Sequence, residues 1–192
     1  RLLSVGATDE TGQLWSGSNF GAETIELLLP GENILSTFPG QDYERLSGTS
    51  QSAALMSGAL ALALTVSPDL TEERLHMVLE EATLAMEDLR GLARMGGEFR
   101  FNQLRYALAH DHWKTGLWGA DYPGDPISGN FMDPDGDGRI NLLEYAIGSN
   151  PGMKDTGTKP WWEATLSGEG LHLRFALHQE FRRWTPRLQV WT

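Results

Sequence analysis

The feature that most constrains this chain is an uncharged segment from Ser50 to Val66, which follows the pair Gly48-Thr49. The segment contains no proline and is dominated by alanine, leucine and methionine. This composition predicts a helix that is buried on nearly all sides. Ser50 could then be only the N-cap of the helix. It could also be an acyl-transfer nucleophile, because free N–H groups and the helix dipole favour an oxyanion at that end.

Short motifs on both sides of Ser50 follow one another in an order that is typical of a single enzyme family. Each of them matches a family motif: Ser4-Val5-Gly6-Ala7-Thr8-Asp9, Ser18-Asn19-Phe20-Gly21, Leu29-Pro30-Gly31 with Ile34-Leu35-Ser36-Thr37, Gly48-Thr49-Ser50 through Gly58, Ser67-Pro68-Asp69-Leu70-Thr71 and Phe101-Asn102. Together they resemble the subtilisin-like serine proteases over about residues 1 to 110. The sequence departs from the family where Ala54 and Leu55 replace a Pro-His pair and where Leu29 replaces alanine.

The resemblance implies an α/β fold, namely the C-terminal half of a subtilisin-like parallel-sheet catalytic domain. It also implies that Ser50 is the nucleophile of a secreted or cell-surface endopeptidase that hydrolyses protein or peptide substrates. In this family the triad residues come in the order Asp, His, Ser. We therefore expect the Asp and His in an upstream part of the same precursor, and we expect residues 1 to 192 to be inactive by themselves.

The five histidines all follow Ser50 in the sequence: His76, His110, His112, His172 and His178. The sequence predicts an amphipathic helix with Thr71 as its N-cap and Glu72 and Glu73 in its first turn, followed by another helix from Asn102 to His110. His76 falls in the amphipathic helix and is interpreted as a surface or packing residue. We give the His110-Asp111-His112 triplet no functional role. An α/β-hydrolase triad in the order Ser50, Asp88, His110 is rejected because Ser52 occupies the second glycine position of the required Gly-x-Ser-x-Gly motif. The remaining alternative is a catalytically degenerate homologue that serves as a calcium-stabilised extracellular structural or adhesion module.

The pattern beyond the motifs predicts three segments. Residues 1–112 form the partial catalytic domain, 113–152 a Gly- and Pro-rich linker that contains an acidic loop, and 153–192 the start of a β-rich domain. In the last segment apolar and polar residues alternate from Trp161 onward, and Ser167-Gly168-Glu169-Gly170 is typical of a hairpin turn.

The acidic loop from Asp133 to Glu144 fits the twelve-residue EF-hand pattern, with Gly138 at the sharp turn and apolar Ile140 at position eight. Hard oxygen ligands at this spacing predict a Ca²⁺ site. The expected ligands are side-chain oxygens and one backbone carbonyl, and they come from Asp133, Asp135, Asp137, Arg139 (carbonyl), Asn141 and Glu144.

The sequence before the loop leaves no room for the entering helix of an EF-hand, whereas an exit helix is predicted from Asn141 to Gly148. Half an EF-hand followed by Gly-Ser-Asn-Pro resembles the calcium repeats of dockerins and of thrombospondin type 3 segments. This resemblance implies a structural extracellular calcium site rather than a sensor.

Composition excludes several classes of partner. A net charge of -11 argues against nucleic acid and against anionic membrane surfaces. The chain contains no cysteine, so disulfides do not stabilise it. The uncharged run that begins at Ser50 is too short for a typical bilayer span, and no membrane span is predicted.

Overall fold

A computed structural model describes residues 2–155, 162–167 and 170–175 of the chain. The chain divides into two compact units, residues 1–112 and residues 113–192. The helices and strands of the described residues are β1 Val5–Thr8, β2 Leu27–Pro30, β3 Ile34–Phe38, β4 Asp42–Leu46, α1 Thr49–Val66, α2 Glu72–Glu81, β5 Thr83–Ala85, β6 Gly97–Phe99, α3 Phe101–Trp118, α4 Asn141–Ile147, β7 Trp162–Ser167 and β8 Gly170–Phe175.

The first unit is built on a four-stranded sheet in the order β1-β2-β6-β5. β1, β2 and β6 run parallel, and β5 pairs antiparallel with β6. β2 is central and buried, and its Leu27, Leu28 and Leu29 are fully inaccessible. A near-continuous apolar strand is what a parallel sheet covered on both faces requires. The predicted α/β class with a parallel sheet is confirmed.

Two of the sheet strands were missed by the sequence analysis. β5 and β6 have three residues each, which is too short for an alternating pattern to be recognised. β6 also carries Glu98, a buried carboxylate in the middle of the strand, where an apolar residue is expected. The Thr8 hydroxyl donates to Glu98 Oε1 at 2.9 Å, and Arg100 Nη2 lies 2.7 Å from Glu98 Oε2. These partners compensate the buried charge.

The prediction that α1 is buried on nearly all sides is wrong for the described part of the chain. Only one stripe is buried, formed by Ser52, Met56, Ala59 and Ala63, whose spacing of three to four residues is that of a single helix face. The physical reason is that the sheet covers α1 from one side, and no other described element covers its opposite face. The small and apolar composition of the helix does not reveal this asymmetry.

By length and composition alone, α1 is able to cross a membrane, and it is the one helix of the described residues of which this is true. The expectation that the uncharged run is too short for a bilayer span is wrong, because α1 has 18 residues. Core helices of soluble proteins have the same length and composition, so the finding is weak evidence for a span.

α2 begins as the sequence predicts. The Thr71 side chain caps the helix by accepting a hydrogen bond from the Arg74 N–H at 3.3 Å. Glu72 and Glu73 occupy the first turn, where the helix dipole favours negative charge. Val78 and Leu79 are buried against the core.

α3 is longer than the sequence predicts, because it continues through residues 113–118 of the expected linker. Gly116 lies within this extension, and a side chain at this position would meet no other atom within 4 Å of its Cβ. In the second unit the Trp113 ring packs edge-on against Trp118 at 5.7 Å and lies 5.2 Å from the Tyr145 ring. Aromatic contacts of this kind offset the weak helix propensity of glycine.

The predicted hairpin at the end of the chain is present as β7 and β8, which pair antiparallel with Leu166 opposite Leu171. The rest of the predicted β-rich segment lies outside the described residues. The division into three segments stays a prediction.

α2 and α3 are connected by a buried ion pair. The Arg74 guanidinium donates to both carboxylate oxygens of Asp111, from Nε to Oδ1 at 2.9 Å and from Nη2 to Oδ2 at 2.6 Å. Arg74 Nη1 also donates to the Asp69 carbonyl at 3.2 Å. Both side chains of the pair are almost inaccessible, at 2% and 1% exposure. Such bidentate geometry compensates the cost of removing both charges from water.

We expect Arg74→Met to lower the free energy of unfolding by about 3 to 5 kcal/mol, because it leaves the Asp111 carboxylate buried without its main partner. The double variant Arg74→Met/Asp111→Leu should recover part of this loss. Arg90→Met is the control, since the Arg90–Glu87 pair is exposed and should contribute under about 0.5 kcal/mol. Urea unfolding of the protein that contains this chain measures all three, and equal effects of Arg74→Met and Arg90→Met would contradict the prediction.

Candidate functional site

Ser50 is the second residue of α1 and its side chain is exposed. Gly48 precedes the helix as its N-cap. The N–H groups of the first helical turn have no carbonyl partner within the helix and point outward along its axis. Ser50 therefore presents a hydroxyl to solvent beside free backbone donors, the arrangement that a nucleophile with an oxyanion site requires.

The position of Ser50 is fixed by its neighbour Ser52. The Ser52 hydroxyl is completely buried and lies 3.2 Å from the Leu29 carbonyl and 3.1 Å from the Pro30 carbonyl, at the end of β2. This side chain connects the first turn of α1 to the carboxyl end of the central strand. The next two small residues do not take part, since Ala53 and Ala54 are exposed.

Gly31 lies beneath this contact. Its N–H donates to the Thr8 carbonyl at 3.0 Å, and its carbonyl accepts from the Gly48 N–H at 2.8 Å. A Cβ at position 31 would lie 2.6 Å from the Cβ of Ala7 and closer still to the Ser52 hydroxyl. Only glycine therefore fits here. The sequence pointed to Gly31 as part of a motif, but its packing role depends on residues distant in sequence.

Two histidines of the first unit, His76 and His110, are engaged by carboxylates, and the third, His112, is exposed. His76 Nε2 lies 2.6 Å from Glu26 Oε1, and His110 Nδ1 lies 2.7 Å from Glu81 Oε1. No described hydrogen bond joins an imidazole to Ser50. Since Glu81 orients His110, the geometry gives no support to a triad of Ser50, Asp88 and His110.

The acidic loop of the second unit is pre-shaped by its own backbone. Asp133 Oδ1 accepts from the Gly136 N–H at 2.9 Å, and Asp133 Oδ2 accepts from the Gly138 N–H at 2.9 Å. Gly136 and Gly138 have φ angles of 70° and 91°, the left-handed conformation that glycine adopts without strain. Loss of water raises the pKa of Asp133, but the backbone donors outweigh it and the net pKa is lowered.

Carboxylate oxygens converge in this loop. One oxygen from each of Asp133, Asp135 and Asp137 lies within 4.8 Å of the other two. Glu144, on the first turn of α4, is fully buried. Its Oε1 lies 3.2 Å from the Ser149 hydroxyl, whereas its Oε2 is buried and has no hydrogen-bond partner among the described residues. Burial, followed by the charges of Asp135 and Asp137, raises the pKa of Glu144 to about 7.

The other two predicted ligands lie in the same loop but also serve another purpose. Asn141 is buried, and its Nδ2 donates to the carbonyls of Ile127 and Gly129 at 2.7 and 2.8 Å. This amide holds the segment that replaces an entering helix, while its Oδ1 has no partner among the described residues. The Arg139 guanidinium pairs with Asp155, a residue that the sequence analysis did not include.

A profile of the subtilase family matches residues 1–105 of this chain, which is more than half of it. The chain belongs to the subtilase family. It is 36% identical over 100 residues to the halolysin-like extracellular serine protease Nep of Natrialba magadii and 37% identical over 100 residues to the major intracellular serine protease of Bacillus subtilis. Both matches cover 50% of this chain, but only 18% and 31% of the relatives. The chain thus spans less than a third of either protease.

A solved structure shares the fold of this chain. The structure described as the basis of subtilase cytotoxin SubAB assembly matches 61% of this chain and 39% of that chain, with a TM-score of 0.51. Its sequence identity of 22% means that it shows the fold alone.

We expect Gly31→Ala to lower the free energy of unfolding by about 1 to 3 kcal/mol, because the added Cβ forces Ser52 and Ala7 apart. The matched control is Gly58→Ala in the middle of α1, where no atom lies near the added Cβ and stability should rise by about 0.5 to 1 kcal/mol. Thermal unfolding of the protein that contains the chain measures both changes. If Gly31→Ala were as stable as Gly58→Ala, the predicted clash of the added Cβ with Ala7 and Ser52 would be wrong.

Proposed function

We propose that Ser50 is the nucleophile of a subtilisin-like serine endopeptidase, whose Asp and His are supplied by sequence that precedes residue 1. The observation that carries the proposal is the exposed hydroxyl of Ser50 on the first turn of α1, fixed to the sheet through Ser52. Membership of the subtilase family supports it. The named relatives are proteases, which supports proteins or peptides as substrates.

The chemistry follows from this geometry. With a histidine as general base, Ser50 Oγ attacks the carbonyl carbon of the peptide bond and its proton passes to the imidazole. The carbonyl oxygen becomes an oxyanion, which the N–H of Ser50 at the helix N-terminus helps to stabilise. The amine leaves with the proton from the imidazole, and water then hydrolyses the acyl-enzyme. Without the base the serine hydroxyl stays protonated and is a weak nucleophile.

The exposed face of α1 supports a role for an upstream part of the same protein. Leu62, Leu64 and Val66 on this helix are 53%, 46% and 59% exposed. They lie on more than one side of the helix, because residues two apart in an α-helix are rotated by about 200°. Exposed apolar side chains on several sides of one helix indicate that another part of the domain covers it. We propose that the segment that carries the Asp and His packs here. The extracellular relative of Natrialba magadii supports secretion, whereas the relative of Bacillus subtilis is intracellular.

We expect Ser50→Ala to lower kcat for peptide hydrolysis by about 10⁶-fold and to abolish labelling by a fluorophosphonate probe, because the members of a triad act as a unit. Ser57→Ala is the matched control: it removes a hydroxyl from the exposed side of the same helix, where Ser57 Oγ donates to the Ala53 carbonyl. Mass spectrometry of the adduct identifies the labelled residue. Residues 1 to 192 expressed alone should not be labelled.

Two results would overturn this assignment. A protein with an intact upstream Asp and His that gives no adduct at Ser50 is a degenerate homologue, the alternative that Ala54 and Leu55 in place of Pro-His favour. Labelling of Ser50 in residues 1 to 192 alone would mean that the base lies within this chain.

We propose further that the loop from Asp133 to Glu144 binds Ca²⁺ in a structural role. The supporting observation is the buried Glu144 Oε2, which has no hydrogen-bond partner among the described residues and lies in a cluster of carboxylates. A hard divalent cation supplies the missing interaction and neutralises the repulsion. The left-handed Gly138 at the sharp turn of the loop fits the EF-hand pattern.

We expect a dissociation constant for Ca²⁺ of roughly 10⁻⁵ to 10⁻³ M. Glu144→Gln should abolish most of the binding, because it removes the negative charge and the bidentate ligand while it keeps the buried volume. Asp121→Asn is the control, since Asp121 is exposed and precedes the 3₁₀ turn Tyr122–Gly124. Isothermal calorimetry checks both variants, and an affinity that is unchanged in Glu144→Gln would contradict the site.

A further inference from the structure

Asp155 lies beyond the twelve-residue loop and beyond α4, yet the chain returns it to the acidic cluster. One carboxylate oxygen from each of Asp137, Glu144 and Asp155 lies within 4.8 Å of the other two. Ligands on opposite sides of one Ca²⁺ ion are about 4.6 to 5.2 Å apart, because each Ca–O distance is about 2.3 to 2.6 Å. The three oxygens are therefore close enough to share a single ion.

Asp137 connects this group to the rest of the loop, since it also belongs to the group of Asp133 and Asp135. The Asp137 side chain is 6% exposed, and the unpartnered Oε2 of Glu144 is buried in the same place. The second group thus contains a buried acceptor that needs a cation or a donor. Among the described residues nothing donates to it.

The backbone holds Asp155 in position independently of its side chain. The Asp155 N–H donates to Asp137 Oδ2 at 3.1 Å. Its own carboxylate is 37% exposed, so it is accessible to an ion that enters from solvent. The turn before it is closed by the Gly152 N–H, which donates to Asn150 Oδ1 at 2.9 Å.

The Arg139 side chain is the competing partner. Its Nη1 contacts Asp155 Oδ2 and lies 3.9 Å from Asp137 Oδ2. Two cations face the five carboxylates of Asp133, Asp135, Asp137, Glu144 and Asp155: the Arg139 guanidinium and the Lys154 ammonium, whose Nζ lies 3.7 Å from the position of a Cβ at Gly136. An excess of negative charge remains. Because Arg139 offers Ca²⁺ only its backbone carbonyl in the EF-hand pattern, its side chain is free to release Asp155.

We propose that Asp155 is an additional ligand of the Ca²⁺ ion, supplied from outside the loop, so that the ion binds residues 152–155 to the loop from Asp133 to Glu144. The inference rests on the calcium site proposed above and extends it. Because this ligand comes from outside the loop, Ca²⁺ binding would hold residues 152–155 against the loop. The carboxylate also adds a negative charge, which increases the affinity for a divalent cation.

The test uses three variants of the protein that contains this chain, with Ca²⁺ titrated by calorimetry. Asp155→Ala removes the carboxylate but keeps the N–H that bonds to Asp137, and should raise the dissociation constant about 10-fold or more. Arg139→Gln removes the same ion pair but keeps the backbone carbonyl, and should leave the dissociation constant unchanged or lower it. Asp121→Ala is the control for loss of an exposed carboxylate and should change nothing.

Hydrogen exchange measures Ca²⁺-dependent protection of individual amides. If Asp155 formed only an ion pair with Arg139, Ca²⁺ would not change the exchange of residues 152–155. Ca²⁺ should slow exchange of the amides of residues 152–155 in the unsubstituted protein and in Arg139→Gln, but not in Asp155→Ala. Loop amides from residues 136–139 should still be protected by Ca²⁺ in all three variants.

The outcomes separate the two proposals. Ca²⁺ binding that is equally strong in Asp155→Ala and in the unsubstituted protein overturns this inference and leaves the loop site intact. Equal weakening in Asp155→Ala and Arg139→Gln also overturns it, because the ion pair would then be responsible. No binding by the unsubstituted protein overturns the calcium site itself.

Discussion

The candidate active site depends on one buried hydroxyl. Ser52 bonds to the last carbonyls of the central strand, and this contact fixes the N-terminal turn of α1 on which Ser50 lies. The approach is possible only because Gly31 has no side chain. Gly31 is itself held by backbone hydrogen bonds to Thr8 and Gly48, so three chain segments meet beneath Ser50, the proposed nucleophile. Preorganisation of this kind is what a reacting group requires, since a small displacement of the attacking atom is costly.

Buried charge in the first unit is placed where it joins elements that are far apart in the sequence. Arg74 on α2 pairs with Asp111 on α3, and Glu98 on β6 accepts a hydrogen bond from Thr8 on β1. Loss of Arg74 would leave the buried Asp111 carboxylate without its bidentate partner, which is strongly unfavourable in the interior. The unit that carries Ser50 is thus held together by polar as well as apolar contacts.

In the acidic loop, by contrast, a buried charged group lacks a full set of partners among the described residues. Backbone N–H groups hold Asp133 in one orientation, while the buried Glu144 keeps an oxygen without a donor among the described residues. Backbone donors thus hold one side of the loop, whereas a buried carboxylate oxygen on the other side has no donor among the described residues. If Ca²⁺ binds here as proposed, its binding energy would contribute directly to the stability of the second unit.

The sequence by itself determined the cap of α2 by Thr71 and the spacing of acidic residues in the loop, because each depends on residues close together in the chain. It also indicated the α/β class, through the resemblance of its motifs over residues 1 to 110 to one enzyme family. Only the tertiary structure decided which face of α1 is buried, that Ser52 and Gly31 position Ser50, and that Asp155 returns to the acidic cluster. It also decided the three-residue strands β5 and β6 and the extension of α3. These features depend on contacts between distant residues, and local periodicity contains no information about such contacts.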